Sequence, residues 1–139
     1  VRSRDATELQ RLHALATGLV ARHYRRPLTV MEVAAALGAS PRRLQRAYAQ
    51  AGQSSFREDL TQTRLAAAAE LLAGQAIPVE VVGRLVGYRQ PAAFTRAFRR
   101  RYGLAPAGYR AAARASRAAA GAQPAGLSSP TTAATAPGW

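Results

Sequence analysis

The stretch TVMEVAAALGASPRRLQRAY, residues 29–48, decides the fold. Thr29 with Glu32 three places on is a capping box, in which a hydroxyl and a carboxylate satisfy the orphan N–H groups at a helix start. Gly38 supplies a left-handed stop, so this first helix is short. Ser40 followed by Pro41 is an N-cap and a favoured first-turn proline, and Leu44 and Tyr48 then form one apolar stripe at helical spacing. Two short helices joined by the turn Gly38, Ala39 and Ser40 make a helix-turn-helix unit.

The same design returns in IPVEVVGRLVGYRQPAAFTRAFRRRYG, residues 77–103. In the first copy Val33, Leu37, Leu44 and Tyr48 are separated by four, seven and four; in the second Val82, Val86, Phe94 and Phe98 are separated by four, eight and four. A small residue, Ala34 or Gly83, follows the first apolar position of each copy, where a crossing helix needs close approach. Gln90 before Pro91 takes the place of the Ser40 cap.

Outward from these copies, Leu9, Leu12, Ala16, Leu19, Val20 and His23 predict an amphipathic helix from about Thr7 to Tyr24, closed by Pro27. Leu60, Leu65, Ala68, Leu71 and Leu72 predict a linking helix over 55–73 that Gly74 ends. A last short helix is expected from Ala105 or Pro106 to about Ala115, and the Ala, Pro, Gly, Ser and Thr text of 116–139 reads as a disordered tail. The fold class expected is all-α, seven helices. Two helix-turn-helix subdomains, 7–53 and 75–115, are joined by a linking helix at 54–74.

At 139 residues the chain can bury about 60–70% of its unfolded surface, and its 48% apolar content is rich in alanine. The formal charge is +13, and all 20 basic residues are arginine. That excess repels itself and implies a polyanionic partner, with nucleic acid favoured over an anionic membrane. Cysteine is absent, which removes disulfides, thiolate metal sites and cysteine nucleophiles. His13 and His23 stand ten apart, the seven carboxylates are scattered, and no Gly-rich phosphate loop is present, so neither an enzyme, a metal site nor a cofactor is expected. No run approaches 18 uncharged apolar residues and the N-terminus lacks an apolar signal core; a cytoplasmic, nucleoid-associated chain is expected.

In a helix-turn-helix the second helix lies in the major groove and presents its first turns to base edges. With Leu44 and Tyr48 turned inward, the outward arc of the first unit holds Arg42, Gln45, Arg46 and Ala49. Arginine can fork onto guanine O6 and N7, and glutamine onto adenine N6 and N7. The second unit offers Arg89, Gln90, Ala92, Ala93 and Arg96. Its alanines can touch thymine methyls but neither donate nor accept, so it should discriminate less. Phosphate contacts are expected from Thr29, Arg43, Thr95, Arg99, Arg100 and Arg110. The linking helix spans about 28 Å at 1.5 Å per residue, close to the roughly 34 Å between successive major-groove faces. A monomer could then read an asymmetric site.

With these residues assembled, the chain resembles the DNA-binding domain of the AraC/XylS family of bacterial transcription regulators. The resemblance runs from about residue 8 to 112. It rests on LTVMEVAAALGASPRRLQRAY, on RLAAAAELL, and on the second copy with its closing Gly103, Pro106, Tyr109 and Arg110. It implies two helix-turn-helix subdomains on a rigid helix, binding to double-stranded promoter DNA, and activation through RNA polymerase. By position, base-contact slots fall on Arg42, Gln45 and Arg46, and on Pro91, Ala92, Ala93 and Arg96. Gln53 fills the slot where the family has a glycine, which sits one residue earlier here as Gly52, so the chain should bend differently into the linking helix. Gly83 replaces a common alanine and should weaken its helix by about 1 kcal/mol. A sequence-indifferent packing protein or an RNA-polymerase interaction module remain as alternative readings.

Overall fold

The computed structural model describes residues 2–135, with side chains described over 3–121. Seven α-helices follow one another: α1 Arg2–His23, α2 Val30–Ala36, α3 Pro41–Ala47, α4 Phe56–Gly74, α5 Val79–Leu85, α6 Pro91–Tyr102 and α7 Pro106–Thr135. A π-helical turn, Tyr48–Gly52, extends α3. The described residues hold no strand.

The chain folds around two apolar clusters. Leu9, Leu12, Ala16 and Val20 of α1 close over Val33, Ala34, Leu44, Ala47 and Tyr48, and the N-terminal half of α4 adds Phe56 and Leu60. The C-terminal half of α4 gives Leu65, Ala68, Ala69 and Leu72 to a second cluster with Val82, Val86, Phe94 and Phe98. Burying one Leu or Phe side chain stabilises by about 1.5–3 kcal/mol, and each cluster contains several. Helix α4 is therefore a shared beam with one half in each core.

Capping fixes the helix starts. The Glu32 N–H donates to Thr29 Oγ1 at 3.1 Å, the Arg43 N–H to Ser40 Oγ at 3.1 Å, and the Glu58 N–H to Ser55 Oγ at 3.1 Å. Gln90 occupies the equivalent place before α6, but its side chain makes no capping bond. Glutamine's longer stem suits this geometry less well than serine, and Pro91 carries the start of α6 instead.

Both turns close alike. The Ala39 N–H donates to the Ala34 carbonyl and the Tyr88 N–H to the Gly83 carbonyl, each at 2.9 Å, with Gly38 at φ +69° and Gly87 at φ +109°. The two copies differ where their helices cross. A Cβ on Gly83 would lie 2.8 Å from Phe94 Cδ2 and 3.0 Å from Cγ. The Phe94 ring is buried against Tyr88 and Phe98 and has nowhere to go. The expectation that Gly83 simply weakens α5 is corrected here. The first copy crosses with Ala34 and Leu44, the second with Gly83 and Phe94, and the smaller residue is matched to the larger ring.

Gln53 adopts the left-handed conformation, φ +52° and ψ 37°, that its slot demands. A non-glycine residue gives up about 1–2 kcal/mol there. Gly52 serves another purpose, since a Cβ on it would collide with the His13 imidazole, itself packed edge-on against Tyr48 at 4.9 Å. The join to α4 is further held by the Tyr48 hydroxyl, which donates to Asp59 Oδ2 at 2.6 Å. Burial, then that bond to Asp59, push the phenol pKa far above its ordinary value, so it stays a donor.

Two boundaries differ from expectation. Helix α1 begins at Arg2, not Thr7, because nothing in 2–6 breaks a helix and Asp5 in the first turn suits the helix dipole. Helix α7 does not end near Ala115 but runs to Thr135, and residues 136–139 of the expected tail lie outside the described residues. Alanine favours this continuation, and Arg117 donates to the Ala73 carbonyl at 2.8 Å, tying residue 117 to the end of α4.

The Gly83–Phe94 fit sets a test. Gly83→Ala should lose up to about 2 kcal/mol in urea unfolding, because an overpacking cost of about 1–3 kcal/mol is offset by a helix-propensity gain of only about 1. Adding Phe94→Leu, which restores the pairing of the first copy, should recover part of that loss. A gain in stability from Gly83→Ala alone would contradict the fit.

Candidate nucleic-acid interface

Helix α3 has only seven residues, and its inner face, Leu44 and Ala47, is fully buried together with Tyr48 just beyond it. That burial turns Arg42, Gln45 and Arg46 outward, and all three are exposed, as is Ala49. The spacing of three and four places them on one ridge. Arg43 lies between the ridge and α1, half-buried. Its guanidinium pairs with Asp5 at 3.3 Å and with Glu8 at 3.2 Å, while Arg46 pairs with the other Asp5 oxygen at 3.3 Å. These acids were not read from the sequence as partners of α3; their spacing of three on α1 was the available signal.

Helix α6 repeats the arrangement with Phe94 and Phe98 buried. Arg89, Gln90, Pro91, Ala92 and Arg96 are exposed, whereas Ala93 and Thr95 are half-buried. Only Arg96 brings a long charged side chain to the first turns of this helix. Arg99, Arg100 and Arg101 follow, exposed, in the last turn of α6, where cations also offset the helix dipole. Arg101 lies over the Tyr102 ring at 5.5 Å.

Two expected phosphate contacts are engaged elsewhere. Thr29 accepts the Glu32 N–H and donates its own hydroxyl proton to the Glu32 carboxylate at 3.2 Å, so it serves as a cap. Arg110 is half-buried, donating to the Leu72 carbonyl at 3.0 Å, the Gln75 carbonyl at 3.2 Å and the Ile77 carbonyl. It satisfies the C-terminal end of α4, where carbonyls lack intrahelical partners. These bonds give Arg110 a structural role at the end of α4.

A cleft of about 490 Å³ opens between the two units, lined by Leu28, Gln45, Arg57, Thr61, Arg64 and Tyr88. Arg57 also lines a second hollow of about 370 Å³ with Arg100 and Arg101. Arg57 stands exposed on the first turn of α4, between α3 and α6 in sequence; nothing in the sequence singled it out. The described residues contain no group of His, Cys, Asp and Glu that could hold a metal ion, and no described helix is long and apolar enough to cross a membrane.

A family model described as a helix-turn-helix domain matches residues 33–112. A protein of Mycobacterium tuberculosis described as an uncharacterized HTH-type transcriptional regulator is 38% identical over 81 residues. Those residues are 58% of this chain and 23% of that relative, so the chain spans about a quarter of the length of the curated relatives it matches. Among solved structures, the DNA-binding domain of AdpA, a global transcriptional factor, in complex with a target DNA, superposes with a TM-score of 0.71 at 32% identity, covering 75% of this chain and 94% of that one. The C-terminal domain of AraT, a response regulator from Geobacillus stearothermophilus, gives 0.71 at 32% identity, covering 73% and 84%.

Structural and free arginines should separate in thermal and urea unfolding. Arg110→Ala is expected to lose about 1–3 kcal/mol, since it orphans partly buried carbonyls. Arg100→Ala, on an exposed position, should stay within about 0.5 kcal/mol. Equal effects of the two would contradict the division.

Proposed function

The chain belongs to the AraC-type helix-turn-helix family of DNA-binding transcription regulators, and from that premise we propose that one chain inserts α3 and α6 into successive major grooves of promoter DNA. Arg42, Gln45 and Arg46 read base edges from α3. Arg89, Gln90, Ala92 and Arg96 face the second groove, with Ala93 at its margin, and anchor more than they read. Arg43, Arg99 and Arg100 hold phosphates, and Thr95 lies near enough the same face to assist. The two units act as separate reading heads on residues 7–53 and 75–115, and the DNA-binding region works as a monomer. Activation through contact with RNA polymerase, at the cytoplasmic nucleoid, completes the reading.

The observation that carries it is the exposed ridge of Arg42, Gln45 and Arg46 on a helix whose opposite face is fully buried. A ridge so fixed can present forked donors to bases in one register. The intramolecular pairs to Asp5 and Glu8 do not prevent this. Exposed ion pairs are worth about 0–1 kcal/mol, less than the roughly 1–3 kcal/mol of a bidentate base contact, so the duplex wins the competition. The length of α4, 19 residues or about 28 Å, supports two helices on one face of the duplex. The similar AdpA domain, solved with a target DNA, supports double-stranded DNA as the ligand.

Selection from random duplexes tests the reading. The expected result is one enriched motif of two boxes about one helical turn apart, the α3 box being the sharper. Arg46→Ala should lose about 1–3 kcal/mol on that motif and relax preference at one position. Absence of enrichment, or equal weakening by Arg46→Ala on every sequence, would favour a sequence-indifferent packing protein.

A further inference from the structure

Arg64, midway along α4, joins the first unit, the beam and the second unit through polar contacts. Its Nε donates to the Tyr24 carbonyl at 2.8 Å and its terminal nitrogen to the Arg26 carbonyl at 2.9 Å. Both carbonyls lie just past the end of α1. On its other side the guanidinium sits 5.7 Å from the centre of the Tyr88 ring, in the turn between α5 and α6. Burial pulls its pKa below the ordinary arginine value, partly offset by Tyr88, and arginine remains charged throughout. Tyr24, whose carbonyl Arg64 holds, packs against both apolar clusters.

The glycines of the two turns show that this junction is built. A Cβ on Gly38 would meet nothing within 4 Å, so that glycine answers only to its backbone conformation. A Cβ on Gly87 would lie 2.8 Å from Arg64 Nε, 3.0 Å from its Cζ and 3.0 Å from the Tyr24 carbonyl oxygen. Gly87 therefore has a second task, which is to let the turn of the second unit close onto Arg64 and the end of α1. A planar fork holds two carbonyls in fixed directions and lies beside a ring; a lysine ammonium has donors but no rigid plane to fix that geometry.

We infer that Arg64 is a positioning residue that fixes the separation and relative angle of α3 and α6, and hence the gap between the two DNA boxes that one chain accepts. The inference rests on the two-helix reading above. A one-base-pair change in the gap moves the second box by about 3.4 Å and rotates it by roughly 34°, given 10–10.5 base pairs per turn. A stiff joint transmits that misfit as lost affinity; a loosened joint absorbs it.

The experiment uses the full chain and duplexes carrying the selected two-box motif with its natural gap, or with one base pair added or removed. The unsubstituted chain should lose about tenfold or more in affinity on either altered gap, comparable to a mismatched base pair. In Arg64→Ala the ratio between natural and altered gaps should shrink to about threefold or less, with Arg64→Lys between the two. Gly87→Ala, which presses on the same junction from the other side, should also shrink the ratio, and it serves if Arg64→Ala does not fold. Circular dichroism and thermal unfolding identify the folded variants, and the ratio is insensitive to a mere loss of active protein. Folded variants that keep the full ratio would overturn the role of Arg64. Indifference of the unsubstituted chain to the gap would overturn the two-box reading, and the role of Arg64 with it, a failure distinguished because it is read without any substitution.

Discussion

Helix α3 is too short to persist alone, since isolated helices of fewer than about 12 residues are marginal in water. It exists because Leu44 and Ala47, with Tyr48 beyond them, are buried to completion under α1, α2 and the start of α4. The same burial decides which way Arg42, Gln45 and Arg46 point. Stability and the outward direction of these side chains are thus one constraint: no rotation of this helix exposes different side chains without dragging Tyr48 and its bond to Asp59 out of the core. Helix α6 obeys the same rule through Phe94 and Phe98, which continue into a run of touching rings with Tyr102 and Tyr109.

The excess of arginine has two sources with different physics. Arg64, Arg110 and Arg117 spend their donors on main-chain carbonyls at helix ends and stitch segments that lie far apart in sequence. Arg42, Arg46, Arg89, Arg96, Arg99 and Arg100 stay exposed on or near α3 and α6. Asp5 and Glu8 lie against α3, holding Arg43 and Arg46 without burying them. The protein thus keeps its charge on one class of arginine and its architecture on the other.

Local rules made most of the fold readable. The threonine cap at Thr29, the serine cap at Ser40, the glycine corners at Gly38 and Gly87, and the apolar stripes all depend on neighbours within a few residues, and all stand where the pattern put them. What escaped depends on contacts across the chain. Gly83 looked like a weak helix residue because its neighbour Phe94 is eleven places away and one helix over. The structural role of Arg110 was hidden because its three carbonyls lie 33 to 38 residues upstream. Gln53 shows that the slot dictated the left-handed backbone even without its glycine. Arg42, Gln45 and Arg46 were recognisable as exposed positions; Arg57, Asp5 and Glu8 needed the neighbouring helices in place.

The central claim is that a single chain addresses two successive major grooves on one face of the duplex. Chemical protection of guanine N7 on a selected duplex, measured on a complex shown by sedimentation to hold one chain, tests it most directly. The expected pattern is two protected major-groove windows about 10–10.5 base pairs apart on the same face. One window only, or two windows that appear only when a second chain binds, would contradict it.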